Sequence, residues 1–341
     1  MSNIKDNSVD RETAEAFALF FDGSPVSAEI IDTSRGDSDF RNTAIISTAE
    51  GEKYVLKFAS NDFTFPDKMR MWQRTVEEYR KSGYYCPRIF CDKNGDFPSF
   101  LFRGRKCFVH AEEFLIYRSL EERTSADESS MIEEYRRYLE DIWSMTAKIA
   151  AKKLDYTDHP SAYCLFETFC PSDKTDEVLE NALEWKKLAD SLPEEFSEQT
   201  HRIWRLWIEN REALKELYAK LPTSVFQADL NATNLLIDED GTFKGVYDFN
   251  LSGKDVFLNY LMRENDSETI PEALKISCRY YTFSEEEKEA ALPLYRCLKP
   301  LWWSAVQDLK DAGNDGESVK RCLDRAEHLL TADMDFRSCM E

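Results

Sequence analysis

The sequence predicts an α+β fold with a small β-rich N-terminal lobe and a larger, mainly helical C-terminal lobe, on three observations. Apolar and polar residues alternate through much of the first 112 residues, the side-chain period of a strand. From about residue 129 the pattern changes to long amphipathic helices. Among those helices, Val225 to Asp248 reads as a single clear β element, two apolar runs joined by the Asp240-Gly241 turn. At 341 residues the chain exceeds the usual size of one core, so two domains are expected, 1–112 and 113–341, with a cleft between them.

A helix is expected over residues 11–21, then a three-strand meander over 28–33, 43–48 and 53–59. In the third strand Lys53, Val55 and Lys57 share one face, and Tyr54, Leu56 and Phe58 the other. A helix over 67–82 stops at Gly83, ahead of Cys86-Pro87. Strands fit 88–92, 99–103 and 106–112, with a crossover near 109–114. The helical part is expected over 129–153, 175–191, 193–221, 271–281, 284–312 and 317–331, with Pro293 and Pro300 breaking or kinking the fifth. Residues 121–128 and the first ten or so are expected to be mobile.

Composition narrows the function. No stretch of about 18 apolar residues occurs and the N-terminus is polar, so neither a membrane span nor a secretory segment is expected. Nine scattered cysteines, with no Cys-x-x-Cys pair and no histidine at ligand spacing, fit reduced thiols in a cytoplasmic protein. A net charge of −21 argues against nucleic acid as a partner, because backbone binding relies on basic residues displacing counterions. The same acidity suits a cationic small molecule, although solubility alone accounts for it.

The hairpin carries the chemistry. Asp229 is followed five residues later by Asn234, and Asp248-Phe249 closes the second strand. Transfer of a phosphoryl group needs alignment and fixed cations more than covalent chemistry. Asp229, just after the apolar pair Val225-Phe226, is the candidate to accept a hydroxyl proton. Asn234 offers a neutral amide oxygen and Asp248 an anionic one, both hard ligands suited to Mg²⁺. Lys57 is placed to reach nucleotide phosphates. Each residue alone is an ordinary turn former or strand lysine; the order and spacing carry the inference.

This layout resembles the catalytic and metal loops of the aminoglycoside phosphotransferase and choline kinase family, which has a bilobal, protein-kinase-like fold. The resemblance is motif-specific over about residues 226–255 and near Lys57. It implies ATP or GTP with Mg²⁺, adenine bound by backbone between Val109 and Glu113, and a helix acid or amide paired with Lys57. Gln73 fits that last role by position and Glu77 by charge. Where the family shows His-Gly-Asp, this chain has Gln227-Ala228-Asp229, and a glutamine amide donates and accepts much as the histidine would. Asn250 stands where Gly or Glu is usual, and asparagine tolerates a left-handed backbone. Residues 34–39 hold one glycine only, so either backbone amides from Arg35 to Ser38 cover phosphates or the segment is a plain hairpin loop, the two readings standing equal. Asp255 matches a position that holds the active-site loops, and a helix N-cap role fits it equally.

The acceptor is less legible. Trp302, Trp303, Tyr280, Tyr281, Trp204 and Trp207 suggest either an aromatic box for a quaternary ammonium ion or, more commonly at helical spacing, core. Acidic clusters such as Glu285-Glu286-Glu287 suit an amino sugar or a solvated helix end. The leading expectation is a kinase for a small hydroxyl compound, an aminoglycoside-like, amino-alcohol or sugar acceptor. The alternatives are a nucleotide-binding regulatory pseudokinase and, less favoured because no Ala-Pro-Glu follows Asp248-Phe249, a Ser/Thr protein kinase.

Overall fold

The computed structural model describes residues 9–124 and 128–341; the segments expected to be mobile fall partly outside them. Helix α1 (Arg11–Phe20) starts where the Asp10 carboxylate accepts from Thr13 N at 2.7 Å. Strands β1 (Pro25–Asp32), β2 (Phe40–Thr48) and β3 (Lys53–Ser60) form the expected meander, and α2 (Pro66–Lys81) follows with a proline in its first turn. Next come β4 (Ile89–Phe90), β5 (Ser99–Phe102) and β6 (Arg105–Glu113). The sheet order is β1-β2-β3-β6-β4, with β5 on β6, so the centre of the sheet is the antiparallel β3/β6 pair. One face packs on α1 through Phe17, Leu56, Phe58, Phe102 and Val109.

A short strand β7 (Arg118–Ser119), not anticipated from sequence, leads into α3 (Leu120–Arg123), α4 (Glu128–Arg136) and α5 (Leu139–Ala150). The single helix expected over 129–153 is thus two, because Tyr138 leaves helical geometry at φ −102°, ψ 1°. Helix α6 (Glu177–Ala189) is capped by Asp176, and α7 (Ser197–Tyr218) runs up to β8 (Thr223–Phe226). The expected hairpin resolves into two ribbons. Strands β9 (Leu235–Ile237) and β10 (Phe243–Val246) pair through the Asp238–Gly241 turn, with β7 on the outer side of β9. Strand β8 pairs instead with β11 (Gly253–Val256), which follows Asp248.

Helices α8 (Phe257–Glu264), α9 (Ile270–Ser277), α10 (Glu285–Leu298), α11 (Trp303–Ala312) and α12 (Gly316–Thr331) complete the chain. Pro293 is accommodated inside α10, whereas the chain breaks at Pro300 before α11. Ser284 and Glu287 close a reciprocal capping box at the start of α10. By contacts the chain forms two compact units. The first holds residues up to Arg136, Cys170–Ser172 and Asp229–Leu251; the second holds Arg137–Phe169, Asp173–Ala228 and Ser252–Glu341. The Asp229–Leu251 segment therefore groups with the β-sheet. All nine cysteines are free thiols. Among the described residues no helix is long and apolar enough to cross a membrane.

Candidate active site

Within the first unit a cleft of about 780 Å³ is lined by the face of β2 and β3 opposite α1, by the 113–118 linker and by Tyr247-Asp248-Phe249. Lys57 lines it. The antiparallel register sets Lys57 opposite His110 and Val55 opposite Glu112, so Glu112 is the diagonal neighbour of Lys57 on one face. The Lys57 ammonium is 3.1 Å from Glu112 Oε2 and 3.4 Å from Asp248 Oδ1. Burial works against the charge on Lys57, but the two carboxylates outweigh it and its pKa is raised. Burial likewise opposes the charge on Glu112; the ammonium and a 3.0 Å bond to His110 Nε2 prevail and lower its pKa.

The acid that meets Lys57 is therefore Glu112 on β6, a correction to the expectation of Glu77 or Gln73. Glu77 is exposed on α2, and Gln73 donates to the Ile89 carbonyl at 2.8 Å. A strand neighbour reaches the lysine because pairing already holds it at the diagonal spacing. No local pattern marks Glu112 as this partner, since the relation is set by strand register.

Asp248 follows β10 in the left-handed region, at φ 58°. The residue taking this conformation is the acid itself, where asparagine at position 250 had been expected to supply the tolerance. Such backbone strain in a non-glycine residue is found where surrounding structure holds it. Phe249 does so, buried with its ring edge-on to Tyr79 at 5.3 Å. Gly245 in β10 is required by close approach: a Cβ there would lie 1.8 Å from the Tyr85 carbonyl oxygen. Tyr85 bridges this strand, donating to Lys244 O at 2.8 Å and accepting from Val246 N at 3.1 Å.

Asp229 and Asn234 sit on the loop before β9 and do not line the cleft. Asn234 Nδ2 donates to Asp229 O at 2.8 Å and to Asp229 Oδ2 at 3.1 Å, while Asn231 Nδ2 donates to Asp229 Oδ1 at 3.0 Å. The ribbon brings this loop beside Asp248, with Tyr247 N donating to Asn234 O at 3.1 Å. Tyr135 adds a hydroxyl bond to Leu230 O at 2.6 Å.

Val109 does not join the cleft. It is fully buried in the core behind the sheet, with its N–H bonded to Pro98 O, because alternation turns it away from Lys57. Glu113 does line the cleft, held by Arg80 at 3.0 Å. The expected amide cradle at residues 35–38 is partly spent, since Arg35 N donates to Asp39 O at 2.9 Å.

In the second unit, Gln227 is buried, and Arg263 Nη2 donates to the Ala228 carbonyl at 2.5 Å, in the peptide just before Asp229. Arg263 was not legible from sequence. Its guanidinium stacks on Tyr163 at 3.6 Å. Asp255 accepts from Ser161 Oγ at 2.6 Å, Tyr218 OH at 3.2 Å and Asn259 Nδ2 at 3.1 Å, and burial raises its pKa. It does not cap α8, whose N-cap residue is Val256. The aromatics are dispersed: Trp204 stacks on buried Trp207, Tyr281 packs on Phe257, Tyr280 lies under Lys148, and Trp303 is exposed.

The sequence profile of the phosphotransferase enzyme family known as APH matches residues 33–259, so the chain belongs to that family. It is a phosphotransferase that acts on a hydroxyl acceptor, built on the α+β, protein-kinase-like fold. Solved structures similar in fold include two kinases. A microcompartment-associated aminopropanol kinase is 14% identical with a TM-score of 0.54, covering 93% of this chain and 94% of its own. An amicoumacin kinase in complex with AMP-PNP and Ca²⁺ is 12% identical with a TM-score of 0.51, covering 97% of each chain. No curated protein matches the chain.

Proposed function

We propose that the enzyme transfers the γ-phosphoryl group of ATP, with Mg²⁺, to a hydroxyl of a small molecule of the amino-alcohol, aminoglycoside-like or sugar kind. The observation that carries this reading is the meeting of Lys57 and Asp248 at 3.4 Å in one cleft, whose volume suits a small ligand. The amicoumacin kinase, similar in fold and bound to AMP-PNP and Ca²⁺, supports a nucleotide with a divalent ion. In this reading GTP is the other candidate donor, and the backbone of the 113–118 linker faces the base.

The donor set fits a hard divalent ion. Asp248 offers a carboxylate, and Asn234, whose amide nitrogen is committed to Asp229, offers Oδ1. Among the described residues no group of three or more His, Cys, Asp and Glu is placed to hold a metal ion by itself. Two protein oxygens completed by phosphate and water are the usual arrangement for Mg²⁺. When bound, the ion neutralises phosphate charge. Asp229, oriented by Asn231 and Asn234, takes the acceptor's proton and aims its oxygen. Arg263 holds the preceding peptide. Lys57, kept charged by Glu112, bears on the phosphates.

In functional terms residues 1–112 form the nucleotide lobe and 113–341 the catalytic and acceptor lobe, although by compactness the Asp229–Leu251 segment groups with the first. In this reading the net charge of −21 suits a cationic acceptor and argues against nucleic-acid partners, and the scattered free cysteines suit a cytoplasmic enzyme.

The test is a Mg·ATP consumption screen of the purified protein against amino alcohols, amino sugars, sugars and nucleosides. Turnover on one class is expected. Asp229→Ala should then reduce turnover by about a thousandfold or more with nucleotide affinity unchanged, and Asp248→Ala should weaken Mg·ATP binding. Nucleotide binding without turnover on any of these acceptors would refute the proposed acceptor classes.

A further inference from the structure

The side chains in contact with Lys57 are both carboxylates, and a nucleoside triphosphate adds several negative charges, so further cations in the cleft would help hold a polyphosphate. The β1–β2 loop does not supply a glycine-rich cradle, and Arg35 N is spent on Asp39 O. A second cation stands on the same face. Thr43 pairs with Lys57 and Arg41 with Ala59, so the Arg41 side chain emerges diagonally from Lys57 on the cleft side of β2.

Arg41 is prepared for a ligand on one side only. Its Nη2 is 2.9 Å from Asp39 Oδ2, and Asp39 is itself held by Asn61 at 3.0 Å. The Arg41 backbone is fixed by Ser34, whose hydroxyl accepts from Arg41 N at 2.9 Å. Yet its Nε is buried and has no hydrogen-bond partner among the described residues. A buried N–H without an acceptor is costly, and a guanidinium fork is shaped for phosphate oxygens.

Resting on the nucleotide reading above, we propose that Arg41 is a second phosphate-binding cation, acting from β2 in place of the missing glycine-rich cover, with Asp39 as the clasp that orients its fork. A nucleotide phosphate accepts from the part of the Arg41 guanidinium that faces the cleft, the side chain being 20% exposed, and Arg41 and Lys57 hold the polyphosphate from two adjacent strands.

Calorimetric titration of wild type, Arg41→Gln and Asp39→Asn with Mg·ATP and with adenosine tests the assignment. Arg41→Gln should bind Mg·ATP at least about tenfold more weakly, about 1.4 kcal/mol, with adenosine affinity unchanged. Asp39→Asn, which loosens the clasp that orients the fork, should weaken Mg·ATP binding by less than Arg41→Gln does, with adenosine affinity unchanged. Should Arg41→Gln not fold, Arg41→Lys carries the test, with a smaller loss for Mg·ATP and none for adenosine. Equal Mg·ATP affinity in wild type and the arginine variant would overturn the proposal. So would a matching loss for adenosine, or an Asp39→Asn variant as weak as Arg41→Gln, which would mark the pair as a structural clasp. A wild-type protein that binds neither probe would refute the nucleotide reading itself, and Arg41's role with it.

Discussion

Replacing Glu112 by glutamine tests how this enzyme holds its lysine. Glu112 lies 3.1 Å from the Lys57 ammonium, where Coulomb attraction at an effective dielectric of about 20 is roughly 5 kcal/mol before desolvation. Glutamine keeps the shape and one acceptor oxygen, so the net loss is the difference between a charged and a neutral hydrogen bond, about 1–2 kcal/mol. Lys57 would then be drawn to Asp248 alone, already 3.4 Å away, and would compete for the oxygen assigned to the metal. Both effects act on phosphate alignment, and together they predict a fall in kcat/KM of about 10- to 100-fold. The assay is steady-state turnover on the acceptor found in the screen, with Mg·ATP affinity measured in parallel. Glu77→Gln, on the exposed side of α2, should change neither quantity. A Glu112→Gln enzyme within about threefold of wild type, beside an impaired Glu77→Gln, would refute the strand-acid assignment. Acid titration adds a sign. The lowered pKa of Glu112 means its stabilisation is fully present above its ordinary value of 4.5 and is lost as pH falls below that value; Glu112→Gln should soften that loss.

Gly245→Ala should cost about 3 kcal/mol or more of stability, because a Cβ 1.8 Å from the Tyr85 carbonyl forces backbone apart; a urea midpoint equal to wild type would contradict the close approach. Glu287 offers the opposite pH dependence. Burial pushes its carboxyl up to about 7 despite bonds from Ser284 N and Tyr281 OH, so its contribution is present below its ordinary 4.5 and is lost as pH rises through about 7. The stability of Glu287→Gln relative to wild type should therefore rise by about 3 kcal/mol between pH 4.5 and 8, and denaturant melts across that range that stay parallel would exclude it.

Much of the fold is legible in the chain because it rests on local periodicity. The meander, α2 and the capped start of α10 follow from alternation, the proline at the head of α2 and the Ser284/Glu287 pair. The spacing of Asp229, Asn234 and Asp248 is legible for the same reason: one short ribbon, closed by the Asp238–Gly241 turn, joins them. The helix break at Tyr138 was hidden, since the apolar stripe continues across it and only backbone geometry changes.

What sequence by itself determined is the order of elements, the family-like motif and the chemistry each residue brings. Tertiary structure alone decided which of these meet. Glu77 and Glu112 are the same side chain in composition, and it is the register of β3 against β6 that delivers Glu112 to Lys57 and turns Val109 into the core. The pairing of β8 with β11 and the reach of Arg263 to the Ala228 carbonyl depend likewise on segments distant along the chain. Strand register and long-range packing are set by the summed burial of many residues, so no single position announces them.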